Sequence, residues 1–483
     1  MSDADRVTIM FTRKITIMKK VLMLSCAAGT MLGCSGAAFA DSTPGKFDVI
    51  LHGDAWFTAG YVNQNSYSDP FAPGGATGGA VQSQKSVTFA DRFHLTVMAD
   101  ANADNGLEYG ALLSIRAAYG GYPDPVDGSV SGRRSGVIDS DQAYVFANGN
   151  FGEIQGGVLP GVNNEMHTGA PNNFGTGGVD GDWNMTPGPS WIMNQSTFLE
   201  PYFGGGFTTV TYNQYGQKIN YFTPRIFQQN GDHHTGLQAI FSYGPNDNQF
   251  GTGVQRSTIA ELSSAEGPYI QNCATSATPL TCDYQDIWET GLRYDGAVSD
   301  VQITANFGTI AATTRNTVGG VNDPTKYHDL FAYQAGLQLA YGAWQLGGSY
   351  ANAGKSAYTE NAVSQSLFFG SAHSGPTHLS DQYTWDIGLS YQVNDPLVIG
   401  ANYQYGHDSG DPSFPGARSA DLYAVGATYV LAPGLTTSLE YLKSVTNNQS
   451  AVTSFAAATG STAMLNAVSG NADIILWKNS VTF

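Results

Sequence analysis

From Phe47 onward the chain repeats one pattern, in which apolar and polar side chains alternate with a period of two. The stretch "FDVILHGDAWFTAGY" puts Phe47, Val49, Leu51, Ala55, Phe57, Ala59 and Tyr61 on one side. Asp48, His52, Asp54 and Thr58 fall on the other, with Ile50 and Trp56 as exceptions. "RFHLTVMA" sets Phe93, Leu95 and Val97 against Arg92, His94 and Thr96. "LEYGALLSIRAAY" sets Leu107, Tyr109, Leu113 and Ile115 against Glu108, Ser114 and Arg116. Much later, "YTWDIGLSYQ" and "LVIGANYQY" repeat the rhythm, with Thr384, Asp386, Ser390, Asn402 and Gln404 on the wet side. Alternation at 180° per residue is the mark of strands with one apolar and one wet face. Beyond the first 40 residues no apolar run reaches the ~18 residues that a membrane-spanning helix needs.

The connections constrain the fold further. Short turn signals fall at Asn102–Gly106, Gly149–Asn150, Gly231–His234, Gly296–Asp300, Ala343, Asn394–Pro396 and Ala432–Gly434. Between them lie long segments: Gln64–Ser86, Gly120–Val137, Leu159–Gly216, Gly244–Cys282, Ala312–Lys326, Asn352–Asp381, His407–Ser419 and Ser444–Gly470. One end of the sheet therefore carries tight hairpins and the other elaborate loops. A soluble sandwich would turn the apolar face inward and gives no reason for that asymmetry. A solenoid would repeat at a fixed length. Tyrosine and tryptophan near the apolar-face ends of many strands match interfacial girdles. The expectation is an all-β transmembrane antiparallel barrel of about 16 strands, each about ten residues long.

"MKKVLMLSCAAGTMLGCSGAAFA", from Met18, has the basic start, apolar middle and Ala-x-Ala end of a secretory leader cut after Ala40. Residues 1–40 are thus assigned to an N-terminal extension and leader, and residues 41–483 to the barrel domain. Without the leader, the 21 Lys and Arg lose five and the 39 Asp and Glu lose two, so the net charge moves from −18 to −21. So acidic a chain is a poor nucleic-acid binder. With Cys26 and Cys34 in the leader, Cys273 and Cys282 remain; in an exported chain a near pair reads as a disulfide. No histidine stands beside them to suggest a metal site.

Two segments and the last residue then carry a family likeness. "DQAYVFANGNFGEIQGG" (141–157) resembles the strand–turn–strand of general Gram-negative porins, above all the alphaproteobacterial type, and "KINYFTPRI" (218–226) resembles the strand after their pore loop. Phe483 resembles their terminal assembly signal, with Ile475, Trp477 and Val481 in keeping and Asn479 out of keeping. The resemblance implies a sixteen-stranded outer-membrane barrel, commonly a homotrimer, recognised by the barrel-assembly machinery through Phe483. It implies a third long loop folded into the lumen, which matches Leu159–Gly216, the longest connection.

A diffusion pore needs no bond chemistry and no cofactor; its narrowest ring sets size and its charges set ion preference. Glu165, Asp180, Asp182 and Glu200 are the acids of the loop. Strand parity sends Arg92 and Arg116 into the lumen opposite, with Asp48, His52, Asp54 and His94 as further polar lining. The acidic balance points to cations and small hydrophilic solutes as cargo, or to outer acids bridged through divalent ions to lipopolysaccharide in the surrounding outer membrane. A substrate-selective channel stays open through Trp183, Trp191 and Tyr202. Enzyme motifs are wanting: "AGKSAY" lacks the first glycine of a phosphate loop, "GSVSG" has Val130 where a nucleophile elbow has serine, and His233-His234 sits in a turn. A barrel enzyme or an adhesin is the remaining alternative; an enzyme would need a Ser/His or Asp/His cluster at one strand end.

Overall fold

In lipid, every strand must find a partner on both edges, because an open edge leaves backbone N–H and C=O groups with nothing to bond. The computed structural model describes residues 47–67, 82–119, 139–181, 216–229, 232, 234–246, 280–318, 321–322, 329–356, 382–410, 415–448 and 469–483. Residues 1–40, expected as an N-terminal extension and leader, lie outside them.

The strands in chain order are β1 (Asp48–Tyr67), β2 (Gln82–Asn102), β3 (Glu108–Tyr119), β4 (Asp139–Gly149), β5 (Gly152–Leu159) and β6 (Gly216–Phe222). There follow β7 (Gly236–Asn246), β8 (Leu280–Val298), β9 (Val301–Val318), the two-residue β10 (Val321–Asn322), β11 (Leu330–Tyr341) and β12 (Trp344–Asn352). The last are β13 (Gln382–Asn394), β14 (Leu397–Gly410), β15 (Pro415–Ala432), β16 (Leu435–Asn448) and β17 (Ser469–Thr482). Each pairs antiparallel with the next, except that β10 only folds back on the end of β9, which pairs directly with β11. β17 returns to β1, with Asp54 opposite Thr482 and Gln64 opposite Ala472. Sixteen strands therefore make a closed wall with no open edge.

The polarity of that wall is the reverse of a soluble protein's. Val49, Leu51, Phe89, Leu292, Ile387, Val425 and Ile475 are exposed on the outside, while Asn220, Glu289, Asp386, Gln404 and Glu440 are buried on the inside. Aromatic pairs ring the outer face at two levels. Trp344–Tyr391 (4.4 Å between centroids) and Phe47–Tyr109 (5.7 Å) lie toward the tight turns, and Tyr403–Tyr423 (4.7 Å) and Phe57–Phe89 (5.6 Å) toward the long connections. The tyrosine and tryptophan rings among them sit at such levels because one end meets hydrocarbon and the other water. Among the described residues no helix is long and apolar enough to cross a membrane, so the crossing is made by strands.

Strand length departs from the expected ten residues. β1 has 20 residues, β2 21, β8 19, and β9 and β15 18 each. Pairing between β1 and β2 runs on through polar Asn63, Gln64, Gln84 and Lys85, because a ladder in water needs no apolar face to continue. Periodic hydrophobicity marks only the part of a strand that meets lipid. For the same reason β14 and β15 extend into the segment expected as a long loop, and only residues 411–414 separate them. The connection from β6 to β7 errs the other way: it spans 223–235, pinned by the Ile226–Leu237 bridge, rather than a tight turn at 231–234.

The carboxyl end is held by the first strand. Gly53 donates its N–H to the Phe483 carbonyl at 2.8 Å and the Phe483 N–H returns to the Gly53 carbonyl at 2.9 Å. The Phe483 ring covers Gly53 and tilts against Phe93 at 6.1 Å. Deleting Phe483 removes both backbone bonds, each worth about 1 kcal/mol, and the ring contact with them. The variant barrel is expected to lose its compact, fast-migrating form at a lower temperature than the full chain on semi-native gels; equal transition temperatures would contradict the closure described.

Candidate functional site

The lumen is shaped by what happens after β5. The chain leaves Leu159, makes one helical turn, α1 (Val162–Glu165), and continues in mostly irregular backbone to a 3-10 turn at Gly178–Asp180. This segment crosses the inner faces of β8, β9 and β11 to β16. Backbone laid across strands has no ladder to join, so its N–H groups need other acceptors. The wall supplies them from its wet face. Glu289 Oε2 accepts from Asn163 N–H (3.2 Å), Asn306 Oδ1 from Thr168 (3.2 Å) and Asp386 Oδ1 from Ala170 (2.9 Å). Farther along, Glu440 Oε2 accepts from Thr176 N–H (2.6 Å) and from its hydroxyl, and Asn402 Oδ1 from Val179 N–H (3.1 Å). The loop's carbonyls are met in turn: Gln334 Nε2 donates to that of Asn163 (2.8 Å) and Asn402 Nδ2 to that of Pro171 (3.3 Å).

Room for the loop comes from glycine. On the inner face of each of β8, β9 and β11 to β15 stands a residue without a side chain, and neighbours fall in register: Gly291 with Gly308, Gly347 with Gly388, Gly400 with Gly426. A Cβ at Gly291 would strike the Met166 methyl, at Gly308 the Asn163 amide, at Gly336 the Thr168 carbonyl and at Gly400 the Phe174 ring. At Gly388 it would come within 3.0 Å of Ala170 Cβ, and at Gly426 within 3.0 Å of Gly175 Cα. Apolar side chains pin both ends of the segment. Val162 and Met166 pack on Ile240 and Phe222, while Val179 packs on Val62, Leu442, Ile474 and Leu476. Those last three explain why "IILW" and its neighbours are apolar on both faces: the inward ones are covered by the loop.

Several charges on the uncovered wall are paired. Arg92 Nη2 bonds Asp54 Oδ2 at 3.0 Å, and the guanidinium lies 5.5 Å from the centre of the Trp56 ring. Lys478 Nζ lies 5.1 Å from the same ring, so Trp56, an exception to the alternation, is an inward platform between two cations. His94 links Asp54 (Nδ1 to Oδ1, 3.2 Å) to Ser114 (Nε2 to Oγ, 2.5 Å). The order Asp–His–Ser is that of a nucleophilic triad, but Ser114 is only 1% exposed, so no acyl carbon can reach it. The cluster braces β1 to β3. Near the tight turns, Asp295 is shared by Arg225 (2.8 Å) and Arg293 (2.9 Å). Beneath the loop, Lys218 and Glu289 form a pair at 3.7 Å whose side chains are almost wholly buried.

The expected site residues are distributed as follows. Glu165 ends α1 and opens to the lumen; Asp54, Arg92 and His94 form one bonded group; Asp48 and His52 stand exposed near the start of β1. Asp180 closes the 3-10 turn, and its side chain, like those of Arg116 and Cys282, is outside the described residues. Asp182, Glu200 and Cys273 lie outside them altogether, as do Trp183, Trp191 and Tyr202. Glu289, Asp386 and Glu440 were not singled out as site residues, although Asp386 was on the wet face.

Glu165 touches lumen water but is hemmed in by the wall. That desolvation, joined by the charge of Glu153, countered by Lys218 and supported by Glu289, pushes its carboxyl up to about 7. His167 is driven the other way, to about 4, by burial and then by Arg293, and is neutral at pH 7. Because a raised carboxyl gains its charge only as pH passes its pKa, cation over anion permeability is expected to rise between about pH 6 and 8. Reversal potentials across that range check this, and the step should vanish in Glu165→Gln. Replacing Glu440 by Ala strands the Thr176 N–H, a cost of about 1–3 kcal/mol for a buried donor. Hydrogen exchange at Thr176 should then speed up at least about tenfold while the barrel still resists detergent; unchanged exchange would remove Glu440 from its role.

Comparisons with known proteins agree with this architecture. The solved structure of an anion-selective porin from Comamonas acidovorans aligns with 91% of this chain and 100% of its own, at a TM-score of 0.51 and 15% identity, a likeness of fold. Uncharacterized proteins of Rickettsia conorii and Rickettsia prowazekii are each 24% identical, over 242 and 245 residues. These alignments cover 44% of this chain and 53% and 54% of the relatives, so the chain spans about half the length of the curated relatives it matches. The family model described as Gram-negative porin matches residues 25–449, most of the chain. The protein belongs to the Gram-negative porin family, channels of the bacterial outer membrane.

Proposed function

We propose that this porin passes ions and small hydrophilic solutes by passive diffusion and prefers cations. The observation that carries the charge preference is the state of the lumen's bases. Arg92 is bonded to Asp54, Lys218 to Glu289, and Arg225 and Arg293 to Asp295. The fields of Arg92 and Lys218 are cancelled close to the wall and those of Arg225 and Arg293 are reduced by the one carboxylate they share, whereas Glu153 and Glu165 lie near enough to repel each other. The whole chain supports the same sign, with 39 acids against 21 Lys and Arg. The Comamonas acidovorans neighbour is described as anion-selective, and a likeness of fold at 15% identity leaves ion preference to each chain's own side chains.

On this reading Glu165, with Asp180, Asp182 and Glu200, forms the acidic rim of the constriction, and Arg116, beside Arg92 in its ion pair with Asp54, its basic side. A small dipolar solute aligns between the two, while an apolar one must shed water to enter. The homotrimer and the contacts with lipopolysaccharide and the assembly machinery belong to the same reading and rest on family membership. In a planar bilayer with a salt gradient, the reversal potential is expected to have the sign of cation flow and to move toward zero in Glu165→Gln. A channel that prefers chloride, or that conducts nothing, would overturn the reading.

A further inference from the structure

Trp56 breaks the alternation of β1 by setting a large ring on the wet face, and that ring is only 6% exposed. A passing solute therefore has no open face to stack on. A buried indole usually bonds through its N–H, yet Trp56 Nε1 meets no acceptor among the described residues. What gathers at the ring is positive charge. The two strands that flank β1 each send one cation: Arg92 on β2 stands opposite Trp56 in register, and Lys478 on β17 stands opposite Thr58. The guanidinium carbon lies 5.5 Å from the ring centre and Lys478 Nζ 5.1 Å from the same centre.

Two positive groups drawn to one spot repel each other, and each rides on a flexible stem whose head prefers water. The negative face of an aromatic ring attracts both and so offsets the repulsion. Asp54 adds to the hold on Arg92, but divides its two oxygens between Arg92 and His94. Lys478 is near enough to Glu440 for the two charges to interact. An aliphatic side chain would fill the volume of the ring and offer neither cation anything. The place matters as well. Farther along the same inward row, Val62 packs on Val179, where the inner loop ends against the wall. The reach of these two cations thus alters the charge that an ion meets beside the loop.

We propose that Trp56 is a positioning residue for selectivity, whose ring draws Arg92 and Lys478 back to the wall and keeps their charge out of the cation path. Its role rests on the reading of the lumen as cation-preferring and names one residue that sets how strong the preference is. Without the ring, both stems extend into lumen water, where cationic heads concentrate anions and repel cations.

Reversal potentials of the full chain in planar bilayers, under a potassium chloride gradient, test this. Trp56→Leu should lower the potassium-over-chloride permeability ratio about twofold or more, and Trp56→Tyr, which keeps an aromatic face, should restore most of it. In a background of Arg92→Gln with Lys478→Gln nothing is left to position, so Trp56→Leu should leave the ratio of that background unchanged. Equal losses in both backgrounds would mean that Trp56 acts by packing alone, and would overturn the role. Tryptophans with progressively more ring fluorines, introduced at Trp56, keep its shape while draining charge from its face. The ratio should fall stepwise along that series, even where the leucine variant fails to assemble on semi-native gels; a flat series would equally overturn the role. The unaltered channel separates the two claims. If it prefers cations and its ratio ignores Trp56, the platform alone is lost. If it prefers anions, and Trp56→Leu strengthens that preference only while Arg92 and Lys478 are present, the platform stands and the wider reading falls.

Discussion

Everything inside this barrel depends on how a stretch of irregular backbone is satisfied against a wall whose own backbone bonds are already used. β-sheets offer no spare N–H or C=O on their faces, so a loop lying across them can be held only by side chains. The wall answers with carboxylates and amides at spaced positions, from Glu289 through Asp386 to Glu440, each aimed at a loop N–H. Carboxylate acceptors make the stronger bonds of this kind. The acids are thus spent as structure before any of them acts on a passing ion. That division separates Asp386 and Glu440, which shape the passage, from Glu165, which faces it.

The same logic accounts for the arrangement of charge. An unpaired base inside a narrow lumen would oppose every cation that entered, and Arg92, Arg225 and Arg293 are instead bound to carboxylates at close range. Pairs of this sort have dipoles but little net field beyond a few ångströms. Trp56 adds a further restraint on Arg92 and Lys478 through its ring faces. Selectivity in such a channel comes from the groups whose charge is not cancelled.

The barrel was legible in the sequence because lipid and water impose opposite demands on alternate residues. Val49, Leu51 and Phe57 against Asp48, His52 and Asp54 already say which way β1 faces. Boundaries were less legible where pairing outlasts the apolar belt, as at Gln64 and Lys85, since a strand in water leaves no periodic trace. The inner surface was the hardest to read. Ile474 and Leu476 look like lipid-facing residues, and only the covering Val179 explains their inward turn. Glycines such as Gly308 and Gly400 are scattered through the sequence as single letters in separate strands. Their alignment into a track depends on the register of six hairpins, which a pattern within one strand cannot reveal. Glu289 and Glu440 were hidden for the same reason: each is one acid among many until the loop lies over it.

The glycine track bears on what the family member can change without harm. Strands in the wall repeat every ~4.8 Å, while the loop advances at most ~3.6 Å per residue, so its contacts fall at uneven but fixed residues: Thr168 over Gly336, Ala170 over Gly388, Gly175 over Gly426. Because so many of those contacts are made by backbone, the identity of an outward-pointing loop residue matters little to the fit. Length is another matter. One residue added or removed between Val162 and Val179 would carry every later group past its strand, so substitutions are tolerated there far more readily than insertions or deletions.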